Sequence, residues 1–467
     1  MDMAMSNVKE RFKVTLGDEV IVKPCRDTTR NVLELSGIDR ISPAIFCTLF
    51  FYRASKSEST VEEHREKLQE SLEKVLVSWY SAAGRLRLNG ASGKLEIDCN
   101  GEGVTMRAAT TDAKLEDLGN LHEHNDFCNK LVHQISDNED LSQSPLVAVQ
   151  VTRFACGGYC VGFGFNHALF DGFGAFSFLA SWAQICCGKD VSELIEPNHC
   201  RGTLMKTLAS SDSGAAAGSI YSQTHVSTIR DLCLVPMKMT APDDSSWGSS
   251  LSQITGPNSD DGTQFVTLCL KREIIKDMKR TAVESGALSV CSTFDVLSAR
   301  VWKARVRAFK LHPTTSICLQ FPVNARNRTN PALGENFTGN AFVLASIMCT
   351  VTELVEEPLE HTIARIQSAK RSISDEYVKA YLGALECREK FLPSMRELTI
   401  VSDWTKFCFH EIDFGEGRPA AVSPVSTTVP EVAYLMPDLG EEGGMLVRLG
   451  IEGQYLQEFI NNLYGNR

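Results

Sequence analysis

Residues 146–187 constrain the fold of this chain more than any other stretch. Leu146 to Phe154 is apolar and rich in β-branched residues, Gly157-Gly158 is a turn signal, and Tyr159 to Phe165 is a second β-prone run. Phe173 to Cys187 then has the composition of a buried helix, closed by Gly188. This order predicts two buried strands joined by a tight turn and followed by a helix. Between the second strand and the helix stand His167-Ala168-Leu169-Phe170-Asp171-Gly172. One imidazole is therefore delivered at the end of a buried strand, just before a glycine-rich turn. A base held there is rigid, with space for a substrate beside it.

The spacing His-x-x-x-Asp is a weak signal alone, because it occurs three times here, as His122…Asp126, His133…Asp137 and His167…Asp171. The first two lie in polar, acidic sequence and read as solvated loop or helix surface. Only His167 has a buried strand before it and a glycine turn after it, and it is the candidate base.

A length of 467 residues exceeds one ordinary core and predicts about two domains. Net charge of −11, with no basic stripe interleaved with aromatics, argues against nucleic-acid binding. Met1 to Lys13 has no apolar signal-peptide core, and no run approaches the ~18–20 apolar residues of a membrane span. The sixteen cysteines are scattered through apolar runs and read as reduced thiols, which predicts a cytoplasmic protein. No metal-ligand spacing is found, and no metal is expected.

Along the rest of the chain, Thr60 and Glu63 form a capping box before a helix expected over Val61 to Tyr80, with Leu68, Leu72, Val75, Leu76 and Trp79 on one face. Leu95 to Cys99 alternates as a strand and runs into an Asn100-Gly101 turn. Ala209 to Ser219 and Ala241 to Gly262 are rich in Ser, Ala, Gly, Pro and Asp, and predict a long, partly flexible crossover over 191–263. It separates an N-terminal domain, 1–190, from a C-terminal domain, 264–467. The second half restarts with a strand over Gln264 to Leu270 and a helix over Arg272 to Glu284. A helix beginning at Ser292-Thr293 and apolar strands over Ile317 to Val323 and Ala341 to Cys349 follow.

Several of these stretches carry a family resemblance. His167-Ala168-Leu169-Phe170-Asp171-Gly172 resembles the HxxxDG motif of the plant BAHD acyl-CoA-dependent acyltransferases. Leu35-Ser36-Gly37-Ile38-Asp39, Ala83-Gly84-Arg85-Leu86 and Leu95 to Val104 resemble other family elements in family order. Asn324-Ala325-Arg326-Asn327-Arg328 resembles "DGRxR", Phe337-Thr338-Gly339-Asn340 resembles "YFGN", and Ser402-Asp403-Trp404 resembles the "T-S-W" strand. Asp413-Phe414-Gly415-Glu416-Gly417 resembles "DFGWG" with Glu416 in place of Trp; Asn324-Ala325 and Thr338 are further departures.

The resemblance implies an α/β fold of two chloramphenicol-acetyltransferase-like domains, mixed sheets with flanking helices, with the active-site channel between them. It implies an acyl-CoA co-substrate, no permanently bound cofactor, a small-molecule hydroxyl or amine acceptor, and a monomer. His167 would be the general base, and Trp404 and Ser402 would line the acyl-transfer centre and stabilise its oxyanion. Asp171 would turn away from the imidazole to pair with an arginine, for which Arg326 is the candidate, and Gly172 would permit the turn and close approach of substrate. Asn340, Asp413, Gly415 and Gly417 would be structural. Arg85, Arg326 and Arg418 each fit either an ion pair or a contact to CoA phosphates; Ser292, Thr293 and Arg418 are the candidate acyl-CoA contacts. The stretches Leu95 to Val104 and Cys156 to Gly174 look most like hydroxycinnamoyl transferases acting on ω-hydroxy fatty acids and fatty alcohols. Acetyl or benzoyl donors, polyamine N-acylation and a non-catalytic accessory of the same fold stay open.

Overall fold

The computed structural model describes residues 12–41, 45–54, 60–123, 125–133, 135, 140–202, 204, 262–385, 397–425, 432–440 and 443–465. Most of the expected crossover, 205–261, lies outside the described residues. The fold is mixed α/β, built on two six-stranded mixed sheets and a small three-stranded one.

The first sheet runs in the order Val14–Val22, Val104–Thr111, Val147–Arg153, Tyr159–Asn166, Ile45–Tyr52 and Ala421–Pro424. Among the described residues its only parallel pair joins Val104–Thr111 to Val147–Arg153. The two strands expected around Gly157-Gly158 form the predicted hairpin, with Gly157 at φ 83° and Tyr159 opposite Arg153. Every residue of Tyr159–Asn166 is buried, as a strand between two partners requires. Gly162 in this strand admits no side chain, because a Cβ there would lie 2.2 Å from the Leu131 carbonyl oxygen. The last strand, Ala421–Pro424, comes from the C-terminal part of the chain and pairs with Thr48 to Phe51.

Two helices cover this sheet. Val61–Ser78 starts at the Thr60–Glu63 capping box, with both reciprocal bonds formed, and buries Leu68, Leu72, Val75 and Leu76 completely. Removing each of these from water stabilises the fold by about 1.5–3 kcal/mol. Gly172–Cys186 packs beside it, and its Trp182 indole N–H donates to the Leu68 carbonyl at 3.1 Å and to Ser71 Oγ at 3.0 Å.

The second sheet has the order Phe342–Thr350, Ser316–Asn324, Leu398–Asp403, Val432–Asp438, Gly444–Glu452 and Thr263–Lys271. Leu398–Asp403 is parallel to both of its neighbours. Thr293–Phe309 lies against this sheet, nearly all of it buried, flanked by Arg272–Glu284, Leu359–Arg371 and Gly453–Tyr464. No described helix is long and apolar enough to cross a membrane.

Candidate active site

His167 follows the last residue of the strand Tyr159–Asn166, where the Asn166 side chain accepts from the Ala168 N–H at 2.9 Å and turns the chain. The imidazole is half-buried among aromatic rings: Phe46 at 4.9 Å between centroids, Phe165 at 6.0 Å, and Phe342 edge-on at 6.3 Å. Burial pushes its pKa below the ordinary histidine value. The Asp171 carboxylate, its own carbonyl, the Asn340 side chain and Asp39 pull the other way without cancelling it. Nδ1 is buried and has no hydrogen-bond partner among the described residues, so the exposed part of the ring is not its Nδ1 edge. A neutral imidazole in an apolar pocket is able to accept a proton from a substrate bound beside it.

Asp171 does not serve that imidazole directly. Its carboxylate is gripped by Arg326, Nη1 to Oδ2 at 2.7 Å and Nη2 to Oδ1 at 2.8 Å, both side chains buried. It also caps Gly172–Cys186 by accepting from the Gly174 N–H at 2.9 Å, and accepts from the Ala341 N–H at 3.0 Å. Burial opposes its ionisation, but Arg326 and these hydrogen bonds outweigh it and hold the carboxyl below the usual range. Arg326 Nε and Nη2 also donate to the Phe337 and Gly339 carbonyls, and Nη1 to Asn324 Oδ1 at 3.4 Å. The pair thus ties the strand-to-helix turn after His167 to the segment that leads into Phe342.

Asn340, fully buried, fixes His167 from the same side. Its Nδ2 donates to the His167 carbonyl at 2.8 Å and to Asp39 Oδ1 at 2.8 Å, and its backbone N–H also donates to Asp39 Oδ1. Asp39 is itself fixed by the Ser36 capping box, and Arg201 Nε lies 3.5 Å from its Oδ2. Arg201 donates to the carbonyls of Leu169 and His199.

With this geometry in place, known proteins supply the context. Residues 12–464 match the model of the Transferase family. The chain is 36% identical to brassinosteroid-related acyltransferase 1 of Arabidopsis thaliana, over 93% of this chain and 93% of that one. It is 28% identical to an omega-hydroxypalmitate O-feruloyl transferase of the same plant, over 98% and 95% of the two chains. The crystal structure of vinorine synthase superposes with a TM-score of 0.72 at 19% identity, covering 97% of this chain and 98% of that one. The chain belongs to the BAHD acyltransferases. It is an acyl-CoA-dependent acyltransferase.

Other residues singled out in this BAHD acyltransferase fall in four places. Ser402 is the last residue but one of the strand Leu398–Asp403, and Trp404 follows the strand, its ring 5.4 Å from Tyr434 and 5.5 Å from Phe409. Trp404 and Phe46 both pack on the cluster of Tyr434, Met436 and Leu446, so one aromatic wall links Trp404 to the His167 ring. Ser292 and Thr293 begin the helix Thr293–Phe309, with Ser292 Oγ accepting from the Asp295 N–H as its cap. Arg418 is 69% exposed, with only a loose 3.6 Å approach to Glu411. Arg85 donates to the Gly84 and Gly103 carbonyls and lies 3.2 Å from Glu102.

The loop of the second signature stands apart from His167. Asp413 Oδ1 accepts from the Gly415 and Gly417 N–H groups, both glycines at positive φ, and Phe414 packs on Trp182 at 4.7 Å. Glu416, where the family has Trp, meets the buried His64 of the first long helix at 3.2 Å. The departure therefore carries its own partner.

The structure adds detail to three expectations. Gly172 is not at positive φ, and its missing side chain makes room for the Phe407 ring, 2.4 Å from where a Cβ would stand. His122 and His133 are only partly solvated. His122 is half-buried, its carbonyl accepting from Thr267, and His133 meets Glu19 at 3.0 Å. The start of the expected flexible crossover is firmly attached: Asn198 exchanges backbone hydrogen bonds with Asn336 and Thr338, and Arg201 reaches Asp39. Asp39 and Arg201 were not among the expected site residues. Asp39 had one local signal, the Ser36-x-x-Asp39 spacing of a capping box; Arg201 had none.

Proposed function

We propose that His167 is the general base of a direct acyl transfer from acyl-CoA to a hydroxyl acceptor with a large apolar body. The observation that carries this reading is a half-buried imidazole set among Phe46, Phe165 and Phe342 and fixed through its own carbonyl by Asn340, where burial favours its neutral form. His167 takes the acceptor proton as the hydroxyl oxygen attacks the thioester carbonyl. The tetrahedral oxyanion is stabilised by the Trp404 indole N–H and the Ser402 hydroxyl. Collapse breaks the carbon–sulfur bond, and the departing CoA thiolate takes the proton back from the imidazolium. Asp171 and Arg326 hold the shape of the turn and do not relay protons.

No covalent acyl-enzyme is needed. The thiols on the strands beside His167 are poor nucleophiles, because burial pushes Cys47 up to about 12 and Cys160 well above its ordinary value. Residues 1–190 and 264–467 would be the two acyltransferase domains, with donor and acceptor meeting between them. We favour a hydroxycinnamoyl donor, which suits the aromatic wall and the name of the feruloyl transferase relative.

The test is CoA release by the full chain with feruloyl-, coumaroyl-, benzoyl- and acetyl-CoA against fatty alcohols, ω-hydroxy fatty acids, a steroid alcohol and spermidine. Release that requires both substrates, is fastest with a hydroxycinnamoyl donor and an apolar alcohol, and leaves no acyl group on the protein by intact mass is the expected result. An acyl-protein adduct that chases into product would overturn direct transfer.

A further inference from the structure

Ser402, Tyr434, Arg448 and Thr267 form one rung across four adjacent strands of the second sheet. Residues in register share a face, so Arg448 stands on the face that carries Ser402 and the Tyr434–Trp404 aromatic wall. Its side chain is 2% exposed. A guanidinium so deeply buried ordinarily has a carboxylate beside it. Arg448 has none among the described residues. Nη1 donates to Ser423 Oγ at 2.7 Å and to the Pro424 carbonyl, while Nε and Nη2 make no hydrogen bond among the described residues.

No carboxylate among the described residues acts directly on it; Asp438 acts on the neighbouring His122, whose ring also bonds the Val422 carbonyl. Cys128 and Tyr434 are the neighbours that favour its charge, and burial still drags its pKa down to about 10. His122 adjoins it, with Nδ1 buried and unpartnered among the described residues. An uncompensated buried cation is costly unless an anion completes it.

The surroundings place this cation at the far end of the aromatic wall from His167. Pro424 pairs with Thr48, on the strand whose Phe46 ring lies against His167, and Tyr434 packs in the same cluster as Phe46. Asn166, the residue before His167, pairs with Ile45 on that strand. Two strand spacings across and about four residues along separate the two sites by roughly 15 Å.

Resting on the transfer centre proposed above, we infer that Arg448 is a specificity-determining residue that recognises a carboxylate on the bound substrate. The carboxylate would sit at the opposite end of an apolar body from the reacting group, bridged by the wall of Phe46 and Tyr434. Its oxygens would accept from the Nε and Nη2 N–H groups in the paired geometry that arginine offers a carboxylate. An ω-hydroxy fatty acid has this layout on the acceptor side; a dicarboxylic mono-thioester would present the same group on the donor side.

Binding, measured by quenching of tryptophan fluorescence, tests the idea without requiring turnover. Hexadecanoate is titrated against its methyl ester, and malonyl-CoA against acetyl-CoA, using wild type, Arg448→Met, Arg448→Lys and His167→Ala, each with its melting temperature recorded. The expected result is that wild type prefers the free acid in one arm by roughly 10- to 100-fold, the worth of a charged hydrogen-bonded contact. Arg448→Met should erase that preference, Arg448→Lys should keep part of it, and the arm that responds identifies the source of the carboxylate. His167→Ala should retain the preference, so failure of the general-base reading would be seen separately as undiminished CoA release in that variant. Equal binding of acid and neutral ligand by wild type in both arms would overturn the inference. So would an equal loss of both ligands in Arg448→Met, the mark of a purely structural arginine.

Discussion

Replacing Asp171 with Asn separates a structural carboxylate from a catalytic one. The side chain keeps its shape but loses its charge, and one of the two oxygens that meet Arg326, Gly174 and Ala341 at 2.7–3.0 Å becomes an N–H₂ group. Arg326, 1% exposed, is left as a buried cation facing a neutral amide. Removing one partner of such a pair costs about 3–5 kcal/mol. In a cooperative unit of a few hundred residues that corresponds to a fall in melting temperature of roughly 5–12 °C. Differential scanning fluorimetry and circular dichroism would read it, with Arg326→Met and the double variant completing a cycle. Because each single change strands the other partner, the double variant should be more stable than the sum of the single losses predicts, by about 0.5–3 kcal/mol. In surviving enzyme the acid limb of the rate profile should move to lower pH, since the Asp171 carboxylate favours the charged form of His167. A melting temperature within about 2 °C of wild type, with activity lost nonetheless, would refute this reasoning and give Asp171 a direct part in proton transfer.

Other consequences are equally open to measurement. The acid limb of kcat/KM in wild type should have its midpoint below the ordinary ~6.5 of histidine, because burial lowers the His167 pKa; a midpoint above that value would contradict the proposed base. Gly172→Ala should cost about 1–3 kcal/mol, through the clash with Phe407 at 2.4 Å. Phe407→Leu should recover part of that loss in thermal melts. His199 is buried between Ser81, Thr338 and the Ser78 carbonyl, and its pKa is pushed down to about 4. A folded pKa below the unfolded one means that this stabilisation is whole above about pH 6.5 and is lost as the pH falls toward 4. That is roughly 3 kcal/mol at most, and His199→Gln should show a smaller drop in melting temperature between pH 7 and 4.5 than wild type does.

The parts of the molecule legible in the sequence were those with local signals. The Thr60–Glu63 box and the apolar face of Val61–Ser78 fixed a helix within two residues of its observed end, and the Gly157-Gly158 hairpin emerged as read. His167 was legible because a buried strand and a glycine turn flank it within a few residues. The partner of Asp171 lies 155 residues away, beyond the reach of spacing; only the family motif pointed to Arg326. Asn340 and Asp39 are 301 residues apart, and no periodicity joins them. Arg448 was invisible for another reason. It is a lone cation in an apolar strand, and only the register with Ser402 and Tyr434 gives it a place. The contact of Gly172 with Phe407 was not legible, because the ring comes from a segment 235 residues away. Likewise, acidic sequence around His122 and His133 suggested solvent, but tertiary packing partly covers both.

The most direct test of the account is the rate of acceptor-dependent CoA release by His167→Ala under saturating acyl-CoA, beside wild type, with acyl-CoA affinity measured on the same samples. The account predicts a loss of about 10²- to 10⁴-fold in kcat, the range of a general base, with affinity for the thioester unchanged. A variant that turns over within about tenfold of wild type would contradict it, and would move the proton acceptor to another group in the site.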